Sequence, residues 1–139
     1  MISNILVPVD GSETTEHLID VACALAKGFD AKITLTHVVS LPISTEPGFP
    51  IDATPLEEAG QKILESAKQK TEEKGCMVED VLKTVVGNAG HGIVRISKER
   101  KIDLIVIGAR GTSKMEALIL GSVCGTVTHN APCPVMVVR

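Results

Sequence analysis

Leu104 to Ile107 is an unbroken aliphatic run that stops at Gly108. A run so short and so apolar reads as a strand buried on both faces of a sheet. Asn4 to Val9 (NILVPV) and Val135 to Val138 are runs of the same kind. Two further segments are strand-like but less apolar: Ala31 to Val38, which alternates, and Val78 to Val86, which carries Glu79, Asp80 and Lys83. Helix-patterned stretches separate all five, so the predicted order is β-α-β-α-β-α-β-α-β. That order requires parallel strands joined by helical crossovers. In such sheets ligands sit beyond the carboxyl ends of the strands, where the strand order reverses. Asp10 follows the first strand and Gly108 the fourth, so both would line one crevice if those strands flank the reversal.

The local signals refine this order. Ser12 is a fair N-cap for a first helix with Leu18, Ala22, Leu25 and Phe29 on one face. Ile33 and Leu35 point one way and Thr34 and Thr36 the other, which predicts less complete burial than in the first strand. Ser40 to Thr54 carries Pro42, Pro47, Gly48 and Pro50 and reads as a surface connection, with a lid as one role open to it. Thr54-Pro55-Leu56-Glu57 reads as a capping box with proline at the first helical position. Leu56, Ala59, Ile63 and Ala67 then face inward, and Gly75 ends that helix. The charges of Val78 to Val86 suit a sheet edge. Asn88 caps a third helix with Ile93 and Ile96 on its core side, although NAGHG is glycine-rich and its first turn could be loop. Lys98, Arg100 and Lys101 oppose the negative end of that helix. A fourth helix runs from Gly121 to about His129.

The 139 residues suit one domain spanning 1–139, with one core of ordinary size, no internal repeat and no linker. No apolar run approaches the ~20 residues of a membrane helix. The first residues, MISNILVPVDGS, lack a basic leader and a small-residue cleavage site. The net charge of −3, scattered basic residues and only two aromatics, Phe29 and Phe49, argue against nucleic acid as a partner. Cys23, Cys76, Cys124 and Cys133 form no CxxC pair and read as reduced thiols, with Cys23 and Cys124, each in a helical apolar pattern, as small buried hydrophobes. His17, His37, His91 and His129 show no zinc-ligand spacing, and His37 and His129 read as structural. The expectation is a soluble cytoplasmic protein with no membrane contact.

The chemistry concentrates after the fourth strand, in Gly108-x2-Gly111-x9-Gly121-Ser122-Val123. Glycines closely spaced at the end of a buried strand let the backbone turn and approach a ligand. The second cluster opens a helix, where Ser122 can bond free amides of the first turn. Free amides beside glycine-lined backbone, with Arg110 between, make a phosphate site. Neither of two commoner phosphate motifs is present. GARGTSK has its glycines in the wrong places for GxxxxGK[ST], and VDGSETT after the first strand is not GxGxxG.

Val7-Pro8-Val9-Asp10, His37-Val38 at the end of the second strand, the late glycine motif and the closing PCPVMVVR together resemble the universal stress protein family, over essentially the whole chain. The glycine motif resembles the family's ATP-binding branch. The resemblance implies a single open five-stranded parallel sheet of order 3-2-1-4-5 with helices on both faces, Rossmann-like and similar to the adenine nucleotide alpha hydrolases. It also implies dimers formed through the last strand. Carried over to this sequence, Asp10 would contact the ribose or base edge, and Pro8 and Val9 would floor the adenosine pocket. Val38 would offer backbone groups to adenine. Gly108, Arg110 and Gly111 would surround ribose and phosphates, with Gly121, Ser122 and Val123 bonding the phosphates. Mg²⁺ would be held largely by phosphate and water.

Two physical arguments bear on what such a chain does. An apolar last strand at a sheet edge needs cover, and pairing with the same strand of a second copy through Val135–Val138 supplies it with two-fold symmetry. Cover by a loop of the same chain is the alternative. Phosphoryl transfer needs a positioned base and metal-bound carboxylates, and only Glu116 and distant Asp10 lie within range of the motif. The expected function is therefore an ATP-binding regulatory or stress-response module acting as a homodimer, with AMP or ADP as alternative ligands. A slow ATPase or nucleotide phosphotransferase is the second reading, and a scaffold with an empty pocket the third.

Overall fold

The computed structural model describes residues 1–43, 48, 51–109 and 121–139. In chain order the elements are β1 (Asn4–Pro8), α1 (Thr15–Phe29), β2 (Lys32–Leu41), α2 (Thr54–Glu73), β3 (Val78–Val86), α3 (Ala89–Glu99), β4 (Leu104–Gly108), α4 (Ser122–Asn130) and β5 (Val135–Val138). The strands form one parallel sheet of order β3-β2-β1-β4-β5. The expected alternation and the expected 3-2-1-4-5 order both hold. β3, the most charged strand, lies at one edge, and β5 at the other.

Strand side chains alternate between two cores because successive residues point to opposite faces. Ile5, Val7, Ile33 and Leu35 meet Leu18, Ile19 and Ala22 of α1 and Leu64 and Ala67 of α2. Leu6, Ile105 and Ile107 meet Ile93 and Ile96 of α3 and Cys124 and Val127 of α4. β1 is buried on both faces, as its apolar run requires, and its reversal with β4 lies at the centre of the sheet.

Several local expectations are corrected. Ser12 is not the cap of α1. The side chain of Asp10 accepts a bond from Ser12 N at 3.0 Å, and this turn delays the helix until Thr15, with Thr14 at the N-cap. Gly11 takes a φ of 77° within it. Phe29 is 45% exposed, because α1 ends there and Ala31 takes the next buried position. β2 runs on to Leu41, three residues past its expected end. Thr34 and Thr36 are fully buried, their hydroxyls satisfied by Asn4 Oδ1 or Glu79 Oε1 and by the Val81 carbonyl. Hydroxyls so paired can be buried at little cost, so the alternation did not mark an exposed face.

The capping box of α2 does not form. Ala53 is the N-cap without a side-chain bond, and Asp52 Oδ1 accepts from Thr54 N at 3.0 Å instead. The buried face of α2 is Gly60, Leu64, Ala67 and Thr71, whereas Leu56 and Ala59 are exposed and Ile63 is half-buried. A weakly apolar helix permits either face, and contact decided between them. His37 Cδ2 would lie 2.7 Å from a Cβ on Gly60, an approach that only glycine allows. Thr71 can sit inward because its hydroxyl donates to the Ala67 carbonyl at 2.7 Å. Asn88 caps α3 as expected, accepting from Gly90 N at 2.7 Å, and the glycine-rich first turn is helical. Arg100 does more than oppose a helix end: it pairs with Glu79 at 3.0 Å.

Candidate functional site

A crevice of about 250 Å³ opens over the carboxyl ends of β1, β2 and β4, between the starts of α1, α3 and α4. Its lining contains eight of the residues expected from sequence: Pro8, Val9, Asp10, Val38, Gly108, Gly121, Ser122 and Val123. Arg110 and Gly111, the other two, lie outside the described residues, as does Glu116.

The floor is backbone held in place by neighbouring strands. Val9 N donates to the Thr36 carbonyl at 2.8 Å. The Val9 carbonyl accepts from His37 Nδ1 at 2.8 Å, which sets that nitrogen as the protonated one. With both its polar groups engaged, Val9 is 4% exposed and presents an apolar surface. Asp10 uses Oδ1 for the turn to Ser12, and among the described residues Oδ2 makes no hydrogen bond. One carboxylate oxygen is thus committed to shape, and the other can take a ligand hydroxyl or amine.

The opposite wall is the start of α4. Gly121 N donates to the Ala109 carbonyl at 3.0 Å, closing the connection between β4 and α4. Gly121 is the N-cap, and among the described residues no side chain caps the helix, which corrects the expectation that Ser122 would do so. Ser122 stands instead at the first helical position. The amides of that first turn therefore lack an intrahelical partner and, among the described residues, a side-chain cap. They carry the positive end of the helix dipole into the crevice, an arrangement suited to an anion.

Sequence reasoning missed part of the lining. His37, read as structural, forms wall as well as support. Thr14, Thr15 and Leu18 bring the start of α1 to the site, and Ala89 and Ile93 bring α3. These residues carry no motif; only the approach of the two helices to the strand ends places them. Cys124 also lines the crevice, but it is 2% exposed and burial pushes its thiol up, so it is no thiolate nucleophile at neutral pH. A smaller recess of about 80 Å³ adjoins, sharing Thr14, Leu18, Gly108 and Ala109 and reaching Val138. Among the described residues no group of three or more His, Cys, Asp or Glu converges to hold a metal ion. Nor is any described helix long and apolar enough to cross a membrane.

A parallel sheet with helices on both faces, and a crevice at the reversal of strand order that reaches the start of α4, define an open doubly wound α/β protein whose crevice lies where ligands usually bind in that class. The chain belongs to the universal stress protein family, whose family model matches residues 1–139. It is 35% identical over 150 aligned residues to the universal stress protein YxiE of Bacillus subtilis, with all of both chains covered. Among solved structures it is similar to a universal stress protein from Archaeoglobus fulgidus, at TM-score 0.79 and 26% identity, covering 100% of each chain. A second one from that organism, in complex with dAMP, shares the fold at TM-score 0.74 and 22% identity, covering 100% of this chain and 98% of that one.

Proposed function

We propose that the crevice binds an adenine nucleotide, ATP first and AMP or ADP as alternatives, and that the chain is a nucleotide-dependent regulatory module of the stress-response type. The observation that carries this reading is the convergence of the Val9–Asp10 floor and the start of α4 on one crevice. The apolar surface of Pro8, Val9 and Ile93 suits a base, and the Val38 backbone lies at hand for its polar edge. Asp10 Oδ2 and Gly108 lie between base and helix, where a ribose would fall. The amides of Ser122 and Val123 suit phosphate, with Arg110 and Gly111 assigned to the same end from the sequence motif. A volume of about 250 Å³ is small beside the ~300–1,000 Å³ of ordinary ligand pockets. It fits a nucleoside, with the phosphates running out along α4. Mg²⁺ would enter bound to those phosphates and water. The dAMP complex of the A. fulgidus relative is a precedent for the ligand class in this fold, and the residues of the present crevice carry the assignment here.

The module acts as a homodimer in this proposal, paired through β5, and reports its nucleotide state to a partner protein. Calorimetric titration of ATP, with and without Mg²⁺, tests the site. Micromolar affinity, about −8 kcal/mol, is expected for the wild type, and loss of at least tenfold for Gly121→Val. A phosphate-release assay on the same sample separates a sensor, with no turnover, from a slow ATPase. Absence of heat with ATP, ADP and AMP overturns the proposal.

A further inference from the structure

We infer that Thr15 is a ligand-contacting residue whose hydroxyl bonds a ribose hydroxyl of the bound nucleotide, an inference that rests on the adenine nucleotide reading above. Thr15 Oγ1 is buried and has no hydrogen-bond partner, the one described side-chain atom in that condition. The residue is 8% exposed, stands at the first position of α1 and lines the crevice. An unpaired buried hydroxyl is costly, and such atoms concentrate where a ligand or water completes them.

Placement narrows the partner. Leu18, one turn further along α1, packs on β1 and β4 in the core, so Thr15 lies on the same helix face, above the carboxyl ends of those strands. Asp10 lies two residues past the end of β1, and Gly108 ends β4. The phosphates belong at α4 and the base at Val38, on other parts of the lining. The sugar is what falls beside Asp10, Gly108 and Thr15. A neutral hydroxyl that both donates and accepts matches a sugar hydroxyl, whereas a phosphate would call for charge or a row of amides. Thr15 lines the crevice while its Oγ1 is buried, and threonine in a helix has two accessible χ1 wells, so a rotation about χ1 would bring the hydroxyl to the wall.

Titration of ATP, 2′-deoxyATP and 3′-deoxyATP against wild type, Thr15→Val and Thr15→Ser tests the inference. The wild type is expected to bind ATP about tenfold tighter than one of the two deoxy analogues. Thr15→Val should weaken ATP about tenfold and that analogue less than twofold, erasing the preference, while Thr15→Ser retains it. Ligand-free Thr15→Val should melt no lower than the wild type, since the orphan hydroxyl is gone. Equal loss for ATP and both analogues, or no loss, overturns the contact while leaving nucleotide binding intact. A wild type without preference among the three overturns it without recourse to any variant. A wild type that binds no adenine nucleotide overturns this inference and the proposed function together.

Discussion

Gly28 and Gly60 both sit inside helices, yet replacing each by alanine should have opposite effects. A Cβ on Gly28 would meet nothing within 4 Å, so Gly28→Ala keeps only the gain in helix propensity, about 0.5–1 kcal/mol of stability. A Cβ on Gly60 would stand 2.7 Å from His37 Cδ2 and 3.0 Å from Leu82 Cδ1. The ring cannot retreat without losing its bond to the Val9 carbonyl. Overpacking of this kind costs about 1–3 kcal/mol and outweighs the same propensity gain, so Gly60→Ala should destabilise by about 1 kcal/mol net. Urea unfolding of the two variants checks both signs. At the opposite end of the sheet, Asp103 Oδ2 accepts from Ser3 N, Ser3 Oγ and Asn4 N, each at 3.0 Å. These bonds, the Ser3 backbone amide first, hold its carboxyl below the usual aspartate range. A depressed folded value means the contribution is present above the unfolded pKa of ~3.9 and lost as pH falls through the folded one. Asp103→Asn should therefore unfold at lower urea than the wild type at pH 7, and the gap should close below about pH 4. Neither effect was legible beforehand. Nothing in the spacing of Gly60 announces an imidazole 2.7 Å away, and Ser3 and Asp103 are 100 residues apart in the chain.

Among the elements, those with strong periodicity or end signals were read closely and those with weak ones were not. β3 and β5 run between the residues expected, and β4 differs by one. Their apolar or charged character left one choice of extent. The face of α2 was read in part: Ala67 is buried and Ile63 packs on the core as expected, but Leu56 and Ala59 are exposed, and the face was settled by the fit of Gly60 under His37 and by Thr71 satisfying itself within the helix. α4 presents the functional counterpart. Among the described residues a Cβ on Gly121 would meet only the Ala109 carbonyl, at an ordinary 3.5 Å, and the backbone there needs no positive φ. Gly121→Val should thus cost at most about 1 kcal/mol, the loss expected on replacing glycine by valine at an N-cap. A thermal melt of the ligand-free variant close to that of the wild type, beside lost ATP affinity, would assign the loss to ligand approach and not to unfolding. A collapsed melt would remove that interpretation.

The whole molecule has two unlike sheet edges. β3 carries Glu79, Asp80 and Lys83, tied to Lys32, Arg100, Lys68 and Glu99 by ion pairs, and such an edge resists pairing with a second copy. β5 is aliphatic apart from Met136, which is 38% exposed, and carries no such protection. The Pro134 and Val138 carbonyls accept from Ile105 of β4 and from Ala109 just past its end. Alternate residues of a strand direct their polar groups to opposite sides, so Val135 and Val137 turn theirs to the open edge. The proposed homodimer predicts twice the 14.7 kDa chain mass by light scattering. Val137→Pro, which removes an outward amide and spares the bonds to β4, should give the single mass. A single mass for the wild type at micromolar concentration would remove the dimer. Chain order, strand type and the place of the crevice were legible in the residues, because periodicity and glycine spacing are local properties that survive without knowledge of neighbours. Burial of Thr34 and Thr36, part of the face of α2, the role of His37 and the orphan hydroxyl of Thr15 were not. Each depends on which atom stands opposite at 3 Å, and only packing the distant segments together sets that partner.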